Sequence, residues 1–299
     1  MQLTGFVPPV AMDFARKIRS LVKKAPGNVR IQYGPYVIQC DSSHHLPQIL
    51  AVLPDCGRPL ADIVNALGIP QPTVIDVGAN IGDTVLLLAR FCNDAKVLCV
   101  EGDPRFMCDL RTNSSQVNGV TIAQAVLSDQ SGEVSGKFSS EQNHAGTARL
   151  TIGMGDEKLC MRTLDDLLLD YPGFPSPDVL KIDTDGFDAP IIRGSKGVLQ
   201  ATRPVVFYEW DPYSYEMEGE NDFDHAEFLM DLGYEDFLIF SNRGEFMFHE
   251  RELQREKLED LANFSRKRRG VDGLHYAIAA FTKERRHTME RVQRHYRKP

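Results

Sequence analysis

The chain has 299 residues, with 34 Lys and Arg against 42 Asp and Glu, a formal charge of −8, and 42% of its residues are hydrophobic. With a quarter of its residues charged and a mean hydropathy of −0.29, it has the composition of one large globular domain or two small ones, which excludes global disorder, collagen-like repetition and a disulfide scaffold. No run approaches the about 20 apolar residues of a membrane span, and Met1–Val10 lacks a charged-then-apolar signal pattern, so no membrane span and a cytoplasmic location are expected.

Met12–Lys24 places Phe14, Ile18, Leu21 and Val22 on one face with basic residues opposite, which predicts a surface helix. Arg30–Cys40 is β-rich around a Gly-Pro turn and predicts a hairpin, and Leu60–Leu67 reads as a helix stopped by Gly68 and Pro70. From Pro72 short apolar runs alternate with helical stretches, the pattern of βαβ units and a parallel sheet. The expected elements are strand Thr73–Val77, helix Asp83–Phe91, strand Lys96–Val100, helix Pro104–Gln116 and strand Val120–Leu127. Glu133–Arg162 breaks the rhythm with Gly, Ser and Thr and reads as an antiparallel excursion at the carboxyl end of the sheet. Alternation resumes with helix Leu164–Leu169, strand Asp178–Ile182, helix Ala189–Gln200 and strand Pro204–Glu209. Helix Phe223–Leu232, strand Asp236–Phe240, charged helix Arg251–Arg268 and strand Leu274–Phe281 follow.

The expected division is an N-terminal helical and hairpin cap over 1–71, an α/β ligand-binding domain over 72–282 and a basic C-terminal tail over 283–299. That tail carries seven Lys and Arg against two Glu, a net of +5, which leaves −13 for the remainder. It reads as a solvated helix, or as a contact for phosphate, anionic lipid or an acidic partner. Cys40, Cys56, Cys92, Cys99, Cys108 and Cys160 show no C-x-x-C spacing and read as free thiols.

The informative segment is VIDVGANIGDT, Val74 to Thr84, which follows a strand and opens a helix. In an open parallel sheet, ligands sit beyond the carboxyl ends of strands, and the first strand–helix turn is the usual place. Gly78 permits a sharp turn and Gly82 a close backbone approach, while Asp76 and Asp83 add acceptors. Glu101 ends the next strand, where a carboxylate can hold both hydroxyls of a ribose. A dinucleotide fingerprint would need Gly where Asn80 and Asp83 stand, and a carboxylate at Asp83 would repel pyrophosphate at a helix N-terminus. An acidic rim suits S-adenosylmethionine, which is cationic and lacks phosphate.

The segments IDVGANIGDT, CVEGDP, RTLDDLL and VLKIDTDGFD, spread over Thr73–Asp211, resemble the FkbM-type family of S-adenosylmethionine-dependent methyltransferases. Upstream, HHLPQILAVLPDCGRPLADIVNAL is similar to the lead-in of members associated with polysaccharide and glycolipid modification. The resemblance implies that Asp76, Gly78, Asn80, Gly82 and Asp83 surround the methionine moiety, Glu101 the ribose, and Ser128 and Asp129 the adenine. It implies O-methylation, often of a sugar or polyketide hydroxyl. Gly102 stands where the family commonly has Pro, and Thr184-Asp185 where Val-Glu is usual. The fold expected is class I methyltransferase, Rossmann-like and three-layered α/β/α, with a seven-stranded mixed sheet whose last strand is antiparallel.

Methyl transfer rewards in-line positioning, and a placed base helps the hydroxyl shed its proton. Asp183 and Asp185 follow the strand DVLKI beside the cofactor turn, where paired carboxylates raise each other's pKa or hold a divalent cation. Asp188 either joins them or caps its helix, Asp183 either acts as base or accepts from backbone amides, and Lys181 reads as a buried ion pair or a functional group. Glu209 in FYEWDPY lies among Tyr208, Trp210 and Tyr213, which would stack on a sugar or pack the core. His144, in the loop EQNHAGT, is a base or a surface histidine.

The function expected is methyl transfer to a hydroxyl of a sugar, polysaccharide precursor or glycosylated small molecule, with no nucleic-acid partner. The alternatives are a nucleic-acid methyltransferase anchored by the basic tail, opposed by the −13 body, and a non-catalytic adaptor of the same fold. In a homodimer, the cap is where two copies would pair.

Overall fold

The computed structural model describes residues 27–92, 94–139, 149–153, 157–271 and 273–298. The expected helix over Met12–Lys24 and His144 lie outside the described residues.

The hairpin β1 (Asn28–Tyr33) and β2 (Tyr36–Asp41) turns at Gly34-Pro35, as its sequence dictates. Helices α1 (Leu46–Val52) and α2 (Arg58–Ala66) lead to β3 (Thr73–Val77), α3 (Asp83–Phe91), β4 (Lys96–Glu101), α4 (Met107–Ser114) and β5 (Val120–Gln124). The run expected as one strand to Leu127 divides at Ala125: β5 stays in the main sheet, and β6 (Val126–Leu127) starts a second. That second sheet has four strands, β6 with β7 (Gly132–Ser139), β8 (Arg149–Ile152) and β9 (Glu157–Arg162), in the order β6-β9-β7-β8. Strands β7, β8 and β9 pair antiparallel as the expected excursion, whereas β6 joins β9 in parallel.

Helix α5 (Leu164–Leu168) and β10 (Val179–Ile182) follow. The single helix expected over 189–200 is two, α6 (Asp188–Arg193) and α7 (Lys196–Thr202). They part at Gly194, where an added Cβ would lie 2.1 Å from the Ser128 carbonyl oxygen. The chain continues through β11 (Val205–Trp210), α8 (Pro212–Glu218), α9 (Asp224–Asp231), β12 (Tyr234–Ser241), β13 (Phe246–Arg251), α10 (Arg255–Arg268), β14 (Tyr276–Thr282) and α11 (Arg286–Tyr296).

Val74, Ile75, Leu98, Cys99, Val179, Leu180, Val205 and Val206 are fully or almost fully buried. Such continuous apolar strands suit a parallel sheet covered on both faces. The main sheet has the order β13-β12-β14-β11-β10-β3-β4-β5, with β14 antiparallel to both its neighbours. Seven of these strands are the expected set; the eighth, β13, pairs with β12 at the edge, where its mixed FMFHER pattern gives no buried run. One face is packed by Leu60 and Ile63 of α2, Leu86 of α3 and Met289 and Val292 of α11. The other is packed by Ile192 of α6, Leu229 of α9 and Leu258 of α10. The result is a three-layer α/β/α fold, and the basic C-terminal segment is a docked part of it.

All six cysteines carry free thiols. Among the described residues, no helix is long and apolar enough to cross a membrane.

Candidate functional site

Strand order reverses between β3, which continues to β4 on one side, and β10, which lies on the other. Ligands of open α/β sheets bind at such a crevice, and here it opens into a half-open cavity at the carboxyl ends of β3, β4 and β10. Gly78 and Asn80 line it from the β3–α3 turn, Glu101 and Gly102 from the end of β4, and Asp183, Thr184 and Asp185 from the end of β10. Its apolar end is walled by Val126, Leu127, Phe138, Leu150 and Ile191.

The turn is possible because of its residue types. Gly78 has φ 77° and donates its N–H to the Val100 carbonyl at 2.9 Å. A Cβ there would stand 1.8 Å from the Asp183 carbonyl oxygen, so no side chain is accommodated. Asn80, with φ 49°, donates its N–H to Glu101 Oε2 at 2.7 Å, and its Oδ1 lies 3.2 Å from His44 Nε2. The other Glu101 oxygen accepts from the Asp103 N–H at 2.7 Å. Burial pushes the Glu101 pKa up, while these backbone donors oppose the shift. Gly82, with φ 84°, packs against Leu110 and Ser114 of α4, and Asp83 opens α3; neither walls the cavity.

Asp76 and Lys181 face each other in register across β3 and β10. Lys181 Nζ lies 2.8 Å from Asp76 Oδ1 and 3.5 Å from Asp183 Oδ2, and it donates to the Gly78 carbonyl at 3.4 Å. Burial acts to lower the Lys181 pKa, but the Asp76 and Asp183 carboxylates outweigh it and hold the ammonium charged. Asp76 is fully buried in this ion pair beneath the cavity floor and is not among the lining residues.

At the acidic end, the Asp183 side chain is 49% exposed. Asp185 stands at φ 54°, a left-handed conformation that Asp and Asn enter more readily than most residues. Burial, then the neighbouring Glu209 and Asp183 carboxylates, raise the pKa values of Asp185 and Asp188 well above the usual range. Asp188 is buried, and its Oδ2 accepts from the Thr184 N–H at 3.3 Å and Oγ1 at 3.1 Å. Glu209 Oε1 meets His275 Nε2 at 2.8 Å, while His275 Nδ1 lies 2.9 Å from the Gly273 carbonyl. Burial alone would lower the His275 pKa; Glu209 reverses this and raises it to about 9.

Tyr208 and Trp210 are fully buried, whereas Tyr213 lies 4.2 Å beneath the Arg269 guanidinium, itself 2.9 Å from Asp211. Ser128 and Asp129 lie past the apolar wall, where Arg193 bridges Asp129 at 3.2 Å and Glu220 at 2.8 Å.

Residues 76–235, just over half of the chain, match the family model described as the methyltransferase FkbM domain. The chain belongs to the FkbM methyltransferase family. It is an S-adenosylmethionine-dependent methyltransferase. A relative, the 2-O-methyltransferase NoeI of Sinorhizobium fredii, is 25% identical to this FkbM methyltransferase over 170 residues, covering 52% of this chain and 70% of NoeI. Among solved structures, a methyltransferase FkbM from Methylobacillus flagellatus aligns with a TM-score of 0.44 and 12% identity, covering 71% of this chain and 44% of that one. The O-methyltransferase TomG from Streptomyces achromogenes aligns with a TM-score of 0.38 and 14% identity, over 75% and 78% of the two chains.

His275 was not among the residues expected at this site. Because β14 runs antiparallel, its first residues lie at the carboxyl ends of the parallel strands, so a polar residue just before the last strand is the signal that locates it. His44 opens the HHLPQIL segment, whose resemblance carried no site role for it, and the wall residues Phe138 and Leu150 come from the excursion, where no local motif marks them.

Proposed function

We propose that this FkbM methyltransferase transfers a methyl group from S-adenosylmethionine to a hydroxyl of a sugar or glycosylated small molecule, the chemistry residing in residues 72–282. The observation that carries this reading is the set of groups lining one cavity at successive strands: Val126 and Leu127 past β5, Glu101 ending β4, Gly78 past β3 and the Asp183–Asp185 loop past β10. An adenosyl group suits that order. The wall takes the base, Glu101 holds the ribose hydroxyls with lone pairs its backbone partners leave, and the acidic end favours a cationic sulfur. Gly78 and Asn80 follow the methionine portion. Gly82 and Asp83 fix that turn from behind, Asp76 secures it through Lys181, and Ser128 and Asp129 brace the wall.

When bound, S-adenosylmethionine supplies an electrophilic methyl group. Asp183 and Asp185 flank the approach of the acceptor hydroxyl, and Asp185, with its raised pKa, takes up its proton. Glu209, held by His275, and His144 are further bases. Positioning is worth effective molarities of about 10⁵ M or more, and a base about 10²–10⁴-fold. The name of NoeI supports oxygen as the acceptor atom. The inward pairing of the C-terminal cations, Arg285 with Asp178 and Arg286 with Glu235 and Asp236, favours this reading over nucleic-acid anchoring.

Calorimetry with S-adenosylhomocysteine tests it. Glu101→Ala is expected to weaken binding at least tenfold, while Asp183→Asn and Asp185→Asn keep binding within threefold and lower methyl release across a panel of glycan acceptors. Unaltered binding by Glu101→Ala would overturn the site.

A further inference from the structure

Behind the acidic loop, on the sheet face covered by α6 and α9, lies a group of buried side chains that methyl transfer does not use. Asp188 of α6, Tyr208 and Trp210 of β11, Tyr215 of α8 and His225 of α9 are each at most 1% exposed. The His225 ring centroid lies 5.3 Å from that of Tyr208, 5.7 Å from Trp210 and 5.4 Å from Tyr215. The helix α6, which opens with Asp188, packs against both β11 and α9, and the Asp188 carboxylate acts to raise the pKa of both tyrosine hydroxyls. Yet Asp188 Oδ1, both hydroxyls, Trp210 Nε1 and both His225 ring nitrogens make no hydrogen bond within the protein.

Buried polar atoms in natural folds are satisfied by protein or by ordered water, and the chemistry of this set identifies the partner. Burial pushes the His225 pKa down to about 3, so its imidazole is neutral, with one donor and one acceptor nitrogen. The indole adds a donor, each hydroxyl donates and accepts, and Asp188 Oδ1 accepts as a carboxylate or donates as a carboxylic acid. Donors and acceptors are therefore both present. A cation would answer only the acceptors, an anion only the donors, and an apolar molecule neither; water answers both.

We propose that Asp188, Tyr208, Trp210, Tyr215 and His225 enclose an internal water-binding site, in which at least two ordered waters bridge Asp188 Oδ1 to the aromatic groups. The other oxygen of Asp188 holds Thr184, so this water ties the loop carrying Asp183 and Asp185 to α8 and α9. These residues position the loop and do not touch substrate.

A crystal structure of the full chain at better than about 1.8 Å tests the site directly. Two or more water peaks about 2.6–3.2 Å from Asp188 Oδ1 and the tyrosine hydroxyls are expected; direct hydrogen bonds among the five residues with no such peaks would overturn it. Tyr215→Phe and His225→Phe give a second arm. Loss of a water-satisfied group lowers Tm by about 2–4 °C, whereas unchanged or raised Tm in both variants, as when unpaired polar atoms are removed, counts against the site. Amide exchange over 183–188 is expected to quicken at least tenfold in Tyr215→Phe, with β3 and β4 unchanged; equal exchange would sever the link to the loop. None of these readouts depends on cofactor binding, so they fail separately from the proposed function.

Discussion

Lys181 and Asp76 occupy one register position of adjacent central strands, and removing either strands the other's charge in the core. Lys181→Met should cost about 3–5 kcal/mol in urea unfolding, with much of the loss recovered in the double variant Lys181→Met/Asp76→Leu. Glu209 and His275 form a pair with the opposite pH logic to an ordinary carboxylate. His275 binds its proton more tightly in the folded chain, at about 9 against 6.5. Its stabilisation is complete below pH 6.5 and is lost as pH rises through 9. Melting temperatures from pH 6 to 10 should therefore fall across that window in the parent chain and fall less in Glu209→Gln. At this scale the sequence showed which residues bring charge to the carboxyl edge, but not on which side of the cavity floor each one lies. Asp76 and Glu101 both lie near strand ends, yet only Glu101 lines the cavity, because Asp76 stands level with Cys99, two residues deeper in the sheet, where it pairs with Lys181.

Elements with long buried runs were readable to within a residue or two: β3, α3, β4 and β10 coincide with their apolar patterns. Those decided by distant partners were not. The break between α6 and α7 depends on Gly194 meeting the Ser128 carbonyl, and on Asp165, whose carboxylate accepts from the N–H groups of Gly197 at 2.6 Å and Val198 at 2.8 Å. Ser195, next to the helix start, instead donates its hydroxyl to Ile191, so the cap comes from a residue far along the chain. Asp165→Ala should cost about 1–2 kcal/mol by chemical denaturation, and Ser195→Ala should not reproduce the uncapped α7. Strand β13 was missed for a related reason: it is an edge strand whose side chains are half-exposed, so pairing with β12 defines it more than its own pattern.

Across the whole molecule, α2 near the start of the described chain and the last helix, α11, share one layer. Met289 and Val292 of α11 are buried beside α2, and Tyr296 donates its hydroxyl to Asp62 at 2.9 Å while Arg58 pairs with the same carboxylate at 2.8 Å. Met289→Ala should lower stability by about 2–4 kcal/mol, read as a shifted denaturation midpoint with an unchanged slope. The charge of this segment was legible; its docked face was masked by a basic surface. The position of β14 between β11 and β12 carries a consequence for biosynthesis. On the ribosome, the earlier strands emerge with two raw hydrogen-bonding borders facing an unfilled slot, and the slot closes only when the final strand arrives. A nascent chain stalled near residue 270 would hold every earlier described strand and still lack β14, leaving it prone to aggregate through those borders.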